Sequence, residues 1–266
     1  MIIDIFPFFN ELDVLELRLR VLEDIVDQFI VIQSEETHSG LLKPIYFNPE
    51  DARWKEWSNR IKTVIIPKIP NAENRWIREN APRQAIPEII KDVSNDDIII
   101  MSDVDEIPDP QLLKTYLPVV RYHKWVGFSA ACYYYYLNLR TVRPHRCIML
   151  VQAQRMKEQG GQYFRDRQHK PRIGPIIGSW HFSYLGGINA IITKLSSFAH
   201  SEFDIEAIKN SKYLQTCIAQ KRSFFPKHFH ANHNGQFYQV PLTELPIEIQ
   251  NHPERYTKHL LPYEDK

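Results

Sequence analysis

Short apolar runs alternate with amphipathic stretches through the first two-thirds of the chain. Ile2 to Phe6 reads as a buried strand, and Asn10 is placed to cap a helix in which Leu12, Leu15, Leu19 and Leu22 recur at helical spacing. Phe29 to Gln33 forms a second apolar run, followed by the polar loop SEETHSG, and Arg60 to Ile66 a third, closed by Pro67 and Pro70. Asn74 to Val93 carries a helical pattern (Ile77, Ala81, Ile89, Ile90) that Pro82 and Pro87 should break or kink. Asp97 to Met101 is the most apolar run of the set. Strands separated by helical segments predict an α/β fold with a mostly parallel central sheet and helices on both faces. Farther along, aromatic-rich strands are expected around 125–137 and 176–184, with a helix from Gly187 to Ala199. From Phe224 onward the pattern weakens, so the expectation is one domain over 1–266 with an irregular C-terminal portion.

Composition narrows the classes without choosing among them. With 43% hydrophobic residues over 266 positions the chain can bury a sizeable core. Lys and Arg number 33 against 32 Asp and Glu, so no global field draws it to nucleic acid or an anionic membrane. Its N-terminal residues, MIIDIFPFFNELD, lack the basic start of a secretory signal, and no apolar run approaches the roughly 18 residues of a membrane span. Three widely spaced cysteines, Cys132, Cys147 and Cys217, suit a reducing compartment, and a cytoplasmic location is expected.

The strongest chemical signal is Met101-Ser-Asp-Val-Asp-Glu106, directly after the apolar run IIIM. In an open α/β sheet ligands gather outside the carboxyl ends of the strands, which is where these acids fall. Asp103, Asp105 and Glu106 crowd three carboxylates into four residues, a repulsion that a cation relieves. Mg2+ or Mn2+ accepts such oxygen ligands and leaves positions for substrate phosphates. The plain alternative is a solvated turn after a core strand, because a bare DxD is a weak signal.

Several stretches in matching order carry more. DIFPFFNELDVLELRL, VDQFIVIQSEETHSG, DDIIIMSDVDEIPDP, GSWHFSY and KLSSFAHSE resemble glycosyltransferase family 17, whose best-known members are β-1,4-mannosyl-glycoprotein 4-β-N-acetylglucosaminyltransferases. The resemblance extends to about residue 204. It implies a GT-A type, Rossmann-like fold, with a nucleotide-sugar half at 1–110 and an acceptor-side half at 111–266. It further implies a UDP-sugar donor such as UDP-N-acetylglucosamine, an oligosaccharide or glycan acceptor, Mn2+ or Mg2+ on Asp103, Asp105 and Glu106, and inversion at the anomeric carbon.

Within that frame Ser102, Asp103 and Val104 are expected at the donor, as are Asp4, Asn10 and Glu11 at the edge of the first strand and helix. Helix capping is the competing reading for Asn10 and Glu11. Glu35 lies in the loop with Thr37, His38 and Ser39, and a polar turn is the alternative there. Arg75, Glu79 and Arg83 recur every four residues, and Arg83 suits diphosphate oxygens, against a solvated salt-bridged face. An inverting transfer needs a base for the acceptor hydroxyl, and Glu202 is the first choice, with Asp204 and His181 behind it. Tyr133 to Tyr136, Trp54, Trp57 and Trp76 could stack on sugars but are read as packing, and His228, His230 and His233 are weak metal candidates. Two other functions compete: a DxD phosphohydrolase acting on sugar phosphates, and a non-catalytic saccharide-binding protein. A glycosidase is less suited, since adjacent acids on one turn do not flank a scissile bond.

Overall fold

The computed structural model describes residues 1–167, 176–226 and 236–263. Its N-terminal part follows the apolar pattern closely. Strand β1 (Ile2–Pro7) leads into helix α1 (Leu12–Leu22), then β2 (Gln28–Ser34) and β3 (Ile61–Ile66). Helix α2 (Arg75–Gln84) is capped by the Asn74 side chain, which accepts from the backbone N–H groups of Trp76 and Ile77. The proline-bearing segment divides as expected: α2 ends at Gln84 and the short α3 (Ile86–Ile89) starts with Pro87 in its first turn. Strand β4 (Ile98–Met101) follows, then β5 (Glu106–Ile107) and α4 (Pro110–His123). Asn10 caps nothing; the residue before α1 is Glu11, and it makes no side-chain cap.

The sheet order β3-β2-β1-β4 is parallel throughout, and its strands alternate their side chains between two cores. Phe6, Phe29, Val31, Ile98 and Ile100 pack toward α1 and α4, while Ile3, Ile5, Ile30, Ile32, Ile99 and Met101 pack toward α3. The α/β, Rossmann-like expectation holds for this half. Beyond β4 the sheet continues through β6 (Trp125–Tyr134), β7 (Leu139–Arg140) and β8 (His145–Gln152), with β8 antiparallel to both β4 and β6. Helices α5 (Ala153–Gln159) and α6 (Gly161–Asp166) come next, then β9 (Ile176–Ser183), parallel to β6, and α7 (Gly187–Ser197). Strand β10 (Tyr238–Gln239) pairs with β7 at the far edge. The end of the chain returns to α1, where Val240, Leu245, Ile249 and Tyr256 join the same core as Leu15 and Leu22. Among the described residues no helix is long and apolar enough to cross a membrane.

Candidate active site

Because β1, β2 and β4 are parallel, their carboxyl ends lie on one edge of the sheet, and the segments leaving them line a single cavity of about 330 Å³. Phe8, Phe9 and Glu11 come from the end of β1, Glu36, Thr37, His38 and Lys43 from the loop after β2, and Asp103 to Glu106 from the end of β4. The opposite wall is built by Tyr134, His181, Tyr184, Lys194, Phe198 and His200. This is the crevice position favoured for ligands in open α/β sheets.

The Asp103–Glu106 turn is held from below by one side chain. Arg18 has no solvent exposure, and its Nη1 donates to the carbonyls of Asp103 at 2.9 Å, Val104 at 3.3 Å and Glu106 at 2.8 Å. Its Nε and Nη2 donate to the Asp4 carboxylate at 2.7 and 2.6 Å, and Nη2 also reaches Ser102 Oγ at 2.9 Å. The Glu106 N–H donates to the Asp103 carbonyl at 2.9 Å, closing the turn. Asp4 and Ser102 therefore lie beneath the cavity, where they anchor Arg18 rather than meet a donor. Burial pushes the Asp4 carboxyl up, and Arg18 pulls it back toward the ionised form.

Above the turn each acid meets cations. Burial alone would raise the Asp103 carboxyl, yet Arg165 and Arg83, bonded at 2.8 and 2.7 Å, hold it well below the usual range. Asp105 behaves likewise: burial raises it, and Lys194 at 2.8 Å and His181 at 3.6 Å lower it further than burial raises it. Burial acts in the opposite sense on the His181 ring, but Asp105 outweighs it and holds the imidazole well above its ordinary 6.5. Glu106 is only 1% exposed; it accepts the Asp103 N–H at 2.7 Å and Arg165 at 3.0 Å, and burial raises its carboxyl.

The expected cluster of three metal-binding acids is not what these residues form. Glu106 is committed to the turn and Arg165, and no group of three His, Cys, Asp or Glu poised for a cation occurs among the described residues. The donor set that remains is smaller and still fits Mg2+ or Mn2+, which use one or two carboxylates and leave the rest to phosphates and water. Lys194 and His181 both approach Oδ2 of Asp105, which leaves Oδ1 to a ligand, and Asp103 is 30% exposed to the cavity.

Other candidates divide clearly. Glu11, Arg83, Asp103, Val104, Asp105, Glu106 and His181 come together around the cavity. Asn10 and Glu35 do not line it, and Glu35 accepts the Lys68 N–H at 3.0 Å instead. Asp204 is paired with Arg75 at 3.0 Å and Lys209 at 2.9 Å outside the lining, and Glu202 stands behind His200 at 2.7 Å. Of the tyrosine run, Tyr133 packs in the core under α1, while Tyr134 reaches the cavity. Trp54 and Trp57 are buried. His228, His230 and His233 lie outside the described residues.

Arg18 and Arg165 are not among the residues the sequence pointed to. Arg18 was signalled by its place between Leu15 and Leu22 on the apolar stripe of α1. Arg165 had no such mark; it reaches Asp103 because α6 packs against α2 with almost no clearance. A Cβ on Gly161 would stand 2.7 Å from the Arg83 carbonyl and 2.7 Å from Ile86 Cδ1.

The sequence model of one protein family, described as glycosyltransferase family 17, matches residues 1–232. No curated protein matches the chain. Among solved structures, mannose-6-phosphate isomerase from Helicobacter pylori is 12% identical, over 59% of this chain and 73% of that one, with a TM-score of 0.34. The 4-diphosphocytidyl-2C-methyl-D-erythritol synthase is 13% identical, over 66% and 87%, with a TM-score of 0.38. S. aureus TarS is 12% identical, over 82% of this chain but only 43% of its own length, with a TM-score of 0.35. Likeness at this level says nothing about substrate.

Proposed function

The chain belongs to glycosyltransferase family 17, and from that premise we propose that it transfers N-acetylglucosamine, with inversion, from UDP-N-acetylglucosamine to a saccharide hydroxyl. The observation that supports this reading most is the fixed Asp103–Asp105 turn at the carboxyl end of β4, ringed by Arg83, Arg165, Lys194 and His181. A nucleotide-sugar donor brings a diphosphate whose charge grows as the glycosidic bond breaks. Guanidinium and ammonium groups held in a partly desolvated pocket suit that developing charge without reorganising at the moment of reaction.

Mg2+ or Mn2+ held by Asp105 and Asp103 would add charge neutralisation at the departing diphosphate. The chain's own groups do the rest. Arg18 fixes the turn, Glu106 and Arg165 orient Asp103, and Lys194 and His181 face the Asp105 carboxylate from the cavity wall. The test is a panel of nucleotide sugars with Mn2+ and simple saccharide acceptors, read as released nucleoside diphosphate and glycosylated product. UDP-N-acetylglucosamine is expected to give both, with loss of activity in chelator. Inorganic phosphate released from sugar phosphates, with no turnover of any nucleotide sugar, would overturn the assignment.

A further inference from the structure

The cavity has an aromatic rim that the donor chemistry does not use. Trp76, at the start of α2, is 44% exposed, and its ring meets His200 edge-on with centroids 4.9 Å apart. Phe198 and Phe203 pack on the same imidazole, at 5.6 and 5.8 Å. His200, Phe198 and Phe203 all line the cavity, whereas Glu202 does not. Glu202 Oε1 lies 2.7 Å from His200 Nδ1. A carboxylate on Nδ1 holds that nitrogen protonated and leaves Nε2 as the acceptor, the arrangement by which a histidine is prepared to take a proton.

Most other basic groups around the cavity face a charged partner, His145 among them, with its Nε2 4.0 Å from Glu106. Asp103 and Asp105 are neutralised by Arg83, Arg165 and Lys194. Both His181 ring nitrogens face partners, Nε2 the Asp105 carboxylate at 3.6 Å and Nδ1 the Cys132 thiol at 3.8 Å. Glu36 is buried against Arg78 at 3.1 Å, Glu11 faces Lys194 at 3.8 Å, and Glu79 faces Arg83 at 3.5 Å. His38 stands 3.9 Å from Glu79, and its Nδ1 makes no hydrogen bond, so nothing fixes its tautomer as Glu202 fixes that of His200.

We propose that His200 is the catalytic base of the transfer, that Glu202 is its positioning residue, and that Trp76 offers the stacking face for the acceptor sugar. This rests on the glycosyltransferase reading of the same cavity. In the step, the acceptor hydroxyl oxygen forms the new bond to the anomeric carbon while its proton passes to His200 Nε2. The bond from the anomeric carbon to the phosphate oxygen breaks, and its electron pair leaves with the nucleoside diphosphate. The resulting imidazolium is held by the Glu202 carboxylate. An exposed indole beside the base suits the apolar face of a pyranose ring.

The experiment compares wild type with H200A, E202Q and W76A in the full chain, using UDP-N-acetylglucosamine and an acceptor turned over by the wild type. H200A is expected to lower kcat by about 10² to 10⁴, with donor affinity by calorimetry unchanged, and added imidazole is expected to restore part of kcat in proportion to its concentration. E202Q should lower kcat about tenfold without altering donor affinity, the cost of losing the charge that holds the tautomer. W76A should raise KM for the acceptor and leave kcat near wild type. Unchanged kcat in H200A, or a loss that follows donor affinity and does not respond to imidazole, would overturn the proposal. A wild type that turns over no nucleotide sugar would instead remove the reading beneath it, and these variants would then have no transfer to support.

Discussion

An arginine inside the apolar stripe of a helix has to meet opposite charge or carbonyl oxygens, and Arg18 meets both. Replacing it by methionine leaves Asp4 buried without its partner, an arrangement that costs about 3–5 kcal/mol. R18M is therefore expected to lower the urea midpoint sharply, and a loss under about 1 kcal/mol would show that the pair does not carry the turn. The double variant D4L/R18M should regain much of that stability, since an apolar pair can replace a buried ion pair. It should still bind donor poorly, because the carbonyls of Asp103, Val104 and Glu106 lose their common holder. Both members of the pair were visible in the sequence as charges on buried positions, Asp4 in the run IIDIF and Arg18 in α1. Their pairing was not, because it joins a strand to the next helix across 14 residues of chain. Arg83 was legible from helical spacing, whereas Arg165 required knowing that α6 lies on α2.

That packing leads to a prediction about elements. A methyl group at Gly161 cannot fit against the Arg83 carbonyl and Ile86 without moving α6 away from α2. G161A is expected to loosen both guanidiniums on Asp103, weakening donor binding more than tenfold while far-UV circular dichroism stays near wild type. Donor affinity equal to wild type would mean that Arg165 does not depend on this contact. The C-terminal return has its own lock. Hydrogen bonding from His259 lowers the Asp13 carboxyl first; burial opposes it, and Lys258 and Arg53 lower it further. A depressed carboxyl contributes stability that is fully present above its ordinary 3.8 and is lost as pH falls below that value. Proteolysis of the segment after residue 252 should therefore be slow at pH 7 and rise below about pH 4, and D13N should be cut readily at both. Equal protection of D13N and wild type at neutral pH would contradict this. The parallel strands and the break between α2 and α3 were readable from period and proline placement. The return of 236–263 onto α1 was not, because its few apolar residues, such as Val240 and Leu245, show no period and find their partners far away in sequence.

At the scale of the whole molecule, parallel strands bring three chain segments to one edge, and that edge holds the cavity of the proposed site. The antiparallel second half, β8 between β4 and β6, adds Tyr134 and, through β9, His181. Nothing in the aromatic runs of that half showed strand direction, which is set by pairing between distant residues. The acids of the DVDE run were legible as a candidate site, and Arg83 with them, whereas Arg165 and Lys194 were not, since they come from helices much farther along the chain. The near-balance of charge, 33 basic against 32 acidic residues, matches a site that carries its own counter-charges instead of relying on a global field. Whether this turn binds a nucleotide-sugar diphosphate is tested most directly by calorimetric titration of UDP-N-acetylglucosamine into wild type and D105N, each with Mn2+. Saturable binding by wild type, weakened at least tenfold in D105N and in chelator, is the predicted result; equal binding by both proteins, or none by wild type, would contradict it.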